Sequence, residues 1–192
     1  MEATIYDKVE KFVFDSFSAA GRPNEMRHFV RTVYWLKVLL PDADEAFLVA
    51  ALAHDIERAF RQEDVILRLT TAGFLDLEFL RFHVERGAEI VADFLWSQYV
   101  EDRYIERVVM LISRHEEGGS TEQNILRDAD SISFLEVNAP AFFERHHDKL
   151  GIEKVRQKID WMYSRISSEE ARLIALPLYE DAVRGLDGRT AE

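Results

Sequence analysis

Residues 44–60 read DEAFLVAALAHDIERAF. From Ala46 to Ala53 every side chain is apolar. A helix that is apolar on all faces is one buried on all faces. This segment is therefore the central helix of a bundle, and the spacing predicts that it starts near Asp44 and runs on through Phe60. On such a helix the neighbours of His54 one and two turns back are Ala51, Ala50 and Phe47. Those of Asp55 are Leu52, Ala51 and Leu48. Both polar side chains leave the end of a dry helix. An unpaired buried carboxylate costs several kcal/mol, so something must compensate it. A divalent cation would do so. So would a neighbouring helix end, with His54 as an ordinary core histidine, and this dipeptide alone leaves both readings open.

Helical spacing extends outward in both directions. Ile5, Val9, Phe12, Val13 and Phe17 form one apolar stripe, closed by Gly21, Arg22 and Pro23. Asn24 is the expected cap of a helix carrying Phe29, Val30, Val33, Leu36 and Leu40, which Pro41 ends. Short helices are expected at 63–71 and 76–82, and longer ones at 84–98 and 101–116. Gly118, Gly119 and Ser120 form a loop. Helices follow at 121–136, 140–148, 151–166 and 168–184, and the tail GLDGRTAE is expected to fray. The fold class is thus all-α, a single compact multi-helix domain over 1–192. Its motif-bearing core lies at about 24–136, and the C-terminal helices 140–184 pack on it.

Bulk composition agrees and narrows the function classes. With 192 residues and 47% hydrophobic side chains, the chain can bury a core. Eight Gly and four Pro are few for a turn-rich β-sandwich. A net charge of -12 argues against an extended nucleic-acid partner, though not against a small basic pocket. Cysteine is absent, so thiolate chemistry is excluded and any metal must use His and carboxylate ligands. The start, MEATIYDKVEKF, lacks the pattern of a signal peptide, and the longest apolar run is too short for a membrane span. A cytoplasmic protein without a membrane partner is the expectation.

The other histidines weigh on the question left open at His54. His28 sits at the edge of the Phe29/Val33/Leu36 face. His83 follows Phe79 and Leu80, His115 follows Val108, Leu111 and Ile112, and Asp130 lies between Leu126 and Phe134. Each adjoins the core stripe of a different helix. One core histidine is ordinary, whereas several on separate helices suggest convergence on one site. Basic residues one turn away, Arg58 beyond His54 and Arg31 beyond His28, are candidates to hold an oxyanion, with structural ion pairs as the alternative. Lys149 and Arg165 are weaker candidates. His146 and His147 read as helix-end residues, and Trp35, Trp96 and Trp161 as core.

RHFVRTV around His28, ALAHDIER around His54 and ILRDADSISFLE around Asp130 together resemble the HD-domain metal-dependent phosphohydrolase superfamily. The resemblance spans roughly residues 24–136. It implies an HD-type helical bundle with a metal in its core, ligated by His28, His54, Asp55 and Asp130, with Asp128 behind them. HVERGAEIVADFL at His83 and ISRHEEGGS at His115 look like the extra histidine motifs of binuclear members. Those include cyclic-dinucleotide phosphodiesterases, diadenosine-tetraphosphate hydrolases and some diiron oxygenases. Two departures matter. Glu116 stands where the cyclic-dinucleotide class has a second histidine, and no GYP motif is present. Arg58 stands where the deoxynucleotidase branch has an acid.

The implied activity is hydrolysis of a nucleotide or small phosphorylated metabolite, with Asp55 and Arg58 catalytic and Arg58 and Arg31 on the substrate. The cofactor is one or two divalent ions among Mn, Fe, Mg, Co, Ni and Zn. Two inward histidines, His83 and His115, would otherwise need other buried partners. Two positions are therefore expected, with Asp55 between them and the second the weaker. The alternatives are a diiron oxygenase and a nucleotide-sensing or partner-binding domain without turnover.

Overall fold

The computed structural model describes residues 3–61, 76–140, 142 and 151–189. Among them there are helices and turns and no strand. The fold is all-α.

Helix α1 (Ile5–Ala19) opens on a capping box between Thr4 and Asp7 and buries Val9, Val13 and Phe17. A 3-10 turn, Pro23–Glu25, leads into α2 (Met26–Leu39). Asn24 lies inside that turn, so it does not cap α2 as expected. Helix α3 (Glu45–Ala53) is capped by Asp44, whose carboxylate accepts from the Phe47 N–H. It is buried on every side but Leu48 and its first residue, as its apolar sequence requires.

The predicted continuation of α3 through Phe60 does not occur. The helix stops at Ala53, Asp55 takes φ -104° and ψ 16°, and a 3-10 turn (Ile56–Phe60) follows. The His54–Asp55 pair therefore sits at a break. There the chain has left the α-helical hydrogen-bond ladder, and short 3-10 stretches tighten helix ends in this way.

Helix α4 (Leu77–Ser97) is one continuous element, capped by Asp76, where two helices at 76–82 and 84–98 were expected. No Gly or Pro separates those two segments, so nothing interrupts the ladder. A Cβ at Gly87 would stand 3.4 Å from the His54 carbonyl oxygen, so this glycine marks where α4 crosses the break after α3. Helix α5 (Asp102–Ile112) ends earlier than expected, which leaves His115 in the following turn. Gly118, at φ 77°, reverses the chain into α6 (Thr121–Ser133). Ser120 and Gln123 form the capping box of α6. A π-helical turn, Phe134–Asn138, extends it. Helix α7 (Ile152–Ser164) is followed by α8 (Glu169–Arg189), which carries Pro177 inside it and is helical into the tail expected to fray. The helix expected at 63–71 and most of the one expected at 140–148, together with His146, His147 and Lys149, lie outside the described residues.

Two apolar clusters fill the bundle. The larger joins α1 to α6 around α3 and includes Phe17, Phe29, Phe47, Leu95 and Leu126. Full burial of each such side chain contributes about 1.5–3 kcal/mol. The smaller lies between the π-helical turn, α7 and α8, around Leu135, Ile159, Met162 and Ala175. Trp35 packs against both. Trp96 is 54% exposed, so it is not a core residue as expected. No helix among the described residues is long and apolar enough to cross a membrane.

Candidate metal centre

The structure brings His28, His54, Asp55, His83, His115 and Asp130 together, all buried. His28 comes from α2, His54 and Asp55 from the break after α3, His83 from α4, His115 from the turn after α5, and Asp130 from α6. The ring centroids of His54 lie 5.3 Å from His28 and 4.9 Å from His115, and His115 lies 5.6 Å from His83.

Every imidazole is held by Nδ1 and presents Nε2 to the carboxylates. His54 Nδ1 donates to the Ala51 carbonyl at 2.9 Å, and His115 Nδ1 to the Ile112 carbonyl at 2.8 Å. His28 Nδ1 donates to Ser133 Oγ at 2.9 Å, and that hydroxyl donates to the His28 carbonyl. His83 Nδ1 donates to Glu57 Oε2 at 2.7 Å, and Arg61 donates to the same oxygen. A ring whose Nδ1 carries the proton offers a lone pair at Nε2, the arrangement that outer partners impose on metal-binding histidines.

The Nε2 atoms face three carboxylates. His28 and His54 lie 3.1 Å and 3.3 Å from Asp130 Oδ1. Asp55 lies between the two groups of rings: Oδ2 is 3.5 Å from His54, and Oδ1 is 2.8 Å from His83 and 3.8 Å from His115. Glu116 Oε1 is 3.8 Å from His115 Nε2. Ligand atoms lie mutually within 4.8 Å in three sets: His28, His54 and Asp130; His54, Asp55 and His115; and His83, His115 and Glu116. The fit to a divalent ion has a direct sign. The buried Nε2 atoms of His54 and His115 have no hydrogen-bond partner. Buried polar atoms are rarely left so, and nitrogen and carboxylate donors suit such an ion.

Electrostatics divide the rings. Burial opposes charge on His54, but Asp55 and Asp130 outweigh it and push the imidazole up to about 9. Burial dominates at His115 and takes it down to about 4, against the pull of Glu116. Burial would raise Asp55, yet Arg58, His54 and His83 hold its carboxyl well below the usual range. Asp130 is likewise held low against burial by Arg165, His54 and His28.

Arg58 reaches the cluster and pairs with Asp55 Oδ2 at 2.9 Å. Arg31 is not brought to it: its guanidinium pairs with Glu136 and lies over the Tyr34 ring. Asp128, expected behind the ligands, instead accepts from the N–H groups of Ser167 and Ser168 at the start of α8. Arg165 is engaged through Nε with Ser131 and through its two terminal nitrogens with Glu116 and Asp130. Lys158 stands beside them, and burial pushes its ammonium down to about 8 against Glu116.

Sequence reasoning missed Glu57, Ser133, Glu116 and Lys158. Glu57 follows Asp55 by two residues, a weak signal, and Glu116 registered only as a departure from histidine. A cavity of about 350 Å³ has Leu80, Val84, Ser113 and Glu116 in its wall, so it touches the cluster at Glu116. A second, of about 390 Å³, lies between the π-helical turn and α8, and no cluster residue lines it.

A family model described as Domain of unknown function (DUF4202) matches residues 11–184. The chain belongs to this family. A similar solved structure is the crystal structure of a predicted HD superfamily hydrolase from an uncultured Thermotogales bacterium. It shares 20% identity at a TM-score of 0.60, over 96% of this chain and 90% of that one. The DUF4202 chain thus shares the all-α fold of that structure, and its buried His and Asp side chains are grouped so that they could hold a metal ion. No curated protein matches it.

Proposed function

We propose that this DUF4202 protein is a metal-dependent phosphohydrolase acting on a nucleotide or another small phosphorylated metabolite. The observation that carries the reading is the common polarity of the four imidazoles. Each is tied at Nδ1, and each Nε2 is turned toward Asp55, Asp130 or Glu116. His28, His54 and Asp130 would hold one divalent ion, and His83, His115 and Glu116 a second, with Asp55 shared. Such an ion acidifies a water and polarises a phosphoryl oxygen.

Charge balance supports an anionic substrate. Among the described residues around the cluster, Asp55, Glu57, Glu116 and Asp130 face Arg58, Arg61, Lys158 and Arg165, as many cations as carboxylates. One or two divalent ions would leave this site with a positive surplus, which a phosphate group offsets. Arg58 would neutralise the phosphoryl oxygens as charge shifts in the transition state. Glu57 and Ser133 would keep the rings in the ligating tautomer. The net charge of -12 disfavours an extended nucleic-acid substrate.

The test is release of inorganic phosphate from a panel of nucleotides and phosphosugars. The purified protein would be loaded in turn with Mn, Mg, Co, Ni, Zn and Fe, beside Asp55→Asn. Turnover with a redox-inert ion, abolished in D55N, is expected. Oxygen consumption confined to the iron-loaded protein, with no phosphate released, would instead identify an oxygenase. Saturable nucleotide binding without any product would identify a sensing domain.

A further inference from the structure

We propose that Lys158, together with Arg58, forms an oxyanion subsite that holds a phosphate-type group of the substrate beside the metal cluster. The proposal rests on the metal-dependent reading above and adds to it a residue from α7, outside the HD motifs.

Lys158 is 7% exposed. Its ammonium makes no hydrogen bond and no ion pair within 4.0 Å among the described residues, and its close neighbours are aromatic. Nζ lies 4.2 Å from the Trp161 ring centroid and 5.7 Å from that of Phe134. Ring faces attract a cation but do not replace the acceptors that three N–H donors lose on leaving water. The nearby carboxylates are committed elsewhere. Glu116 and Asp130 both pair with Arg165, and Asp130 also faces His28 and His54.

The centre of the Trp161 ring lies 4.2 Å from Lys158 Nζ and 4.5 Å from the Arg165 guanidinium carbon. The ring thus ties Lys158 to the residue that pairs with Glu116 and Asp130. Glu116, Arg165, Arg58 and Asp130 all act on the charge of Lys158. The three cations differ in what they have left to offer. All three nitrogens of Arg165 are engaged, which makes it a positioning residue for Glu116 and Asp130. Arg58 keeps a buried Nε without a partner. Lys158 Nζ has no acceptor among the described residues. A buried ammonium and a partly exposed guanidinium with a buried, unpartnered Nε are what a shared oxyanion would satisfy. A phosphate-type group has enough oxygens to accept from both while another oxygen faces the metal positions.

The probe is inorganic phosphate, titrated calorimetrically into the Mn-loaded protein. Lys158→Met should weaken phosphate binding at least tenfold and leave the metal content unchanged. Lys158→Arg should restore most of the affinity. Equal phosphate affinity in wild type and K158M would overturn the subsite and leave the phosphohydrolase reading intact. Loss of metal in K158M, in parallel with loss of phosphate, would also overturn it, because Lys158 would then be a counter-ion of the ligand carboxylates. A wild-type protein that retains metal yet binds no phosphate and releases none from esters would overturn both. If K158M does not fold, the Lys158 13Cε resonance of the wild type is followed during the phosphate titration. A resonance that moves with saturation supports the subsite, and one that stays fixed refutes it.

Discussion

The two halves of the cluster are built on one plan with different materials. Each has one histidine anchored to the carbonyl three residues before it: His54 to Ala51, and His115 to Ile112. Each has a second histidine anchored across helices, His28 through the hydroxyl of Ser133 and His83 through the carboxylate of Glu57. Arg165 holds one carboxylate of each half, Asp130 and Glu116, and Asp55 lies between them. The difference lies in charge. His54 stands between Asp55 and Asp130 and is pushed up to about 9, whereas His115 is taken down to about 4. The His28 half therefore carries negative charge that a proton or a metal ion must offset. In the His83 half the pull is divided: Asp55 and Glu57 raise His83 against burial, while His115 stays low and Arg61 pairs with Glu57. The first half is expected to bind its ion more tightly.

The largest effect should come from the residue the halves share. Asp55→Ala is expected to abolish retention of both ions, as measured by elemental analysis after gel filtration. One tightly held ion in D55A would show that the halves are independent.

Next is the pH dependence. The raised pKa of His54 means that its charged form stabilises the metal-free protein. That contribution is full below about 6.5 and is lost as pH rises through about 9. A metal ion needs the neutral ring, so in the His28 half its affinity should rise about tenfold per pH unit from that proton, until pH 9. His115 should add no such slope at neutral pH, because its charge is lost near 4. Imidazole resonances of the metal-free protein check this, and His54 and His115 titrating together would erase the contrast.

Removing an outer partner should have a smaller effect, confined to one half. Glu57→Gln should weaken the ion near His83 by about 10–100-fold and spare the other. Ser133→Ala should weaken the ion near His28 by about tenfold, at the low end of that range, because a hydroxyl is a weaker acceptor than a carboxylate. Calorimetric metal titrations of both variants would show whether each partner serves one half. The smallest effect is expected at Arg31. It pairs with Glu136, so Arg31→Met should change phosphate affinity less than about twofold, within the range of a partly exposed ion pair. A larger loss measured with the metal-loaded protein would return Arg31 to the substrate site.

The sequence by itself determined the helical class, the central place of α3, and the six inward-facing histidines and acids. Apolar spacing is a local property, and a polar residue beside a core stripe must turn inward wherever that helix packs. Tertiary structure decided what those residues meet. Ser133 and His28 are 105 residues apart, Arg165 and Glu116 are 49, and Glu57 and His83 are 26. No periodicity reports such pairings. The same holds for the stop of α3 at Ala53, which spacing extends to Phe60, and for His115, which spacing places on a helix and the structure places in a turn. It holds for Lys158 too, on a helix whose apolar residues give no sign that one lysine is buried beside the cluster. Helix spacing reflects interactions over three or four residues, whereas buried charges are placed by packing between helices distant in sequence.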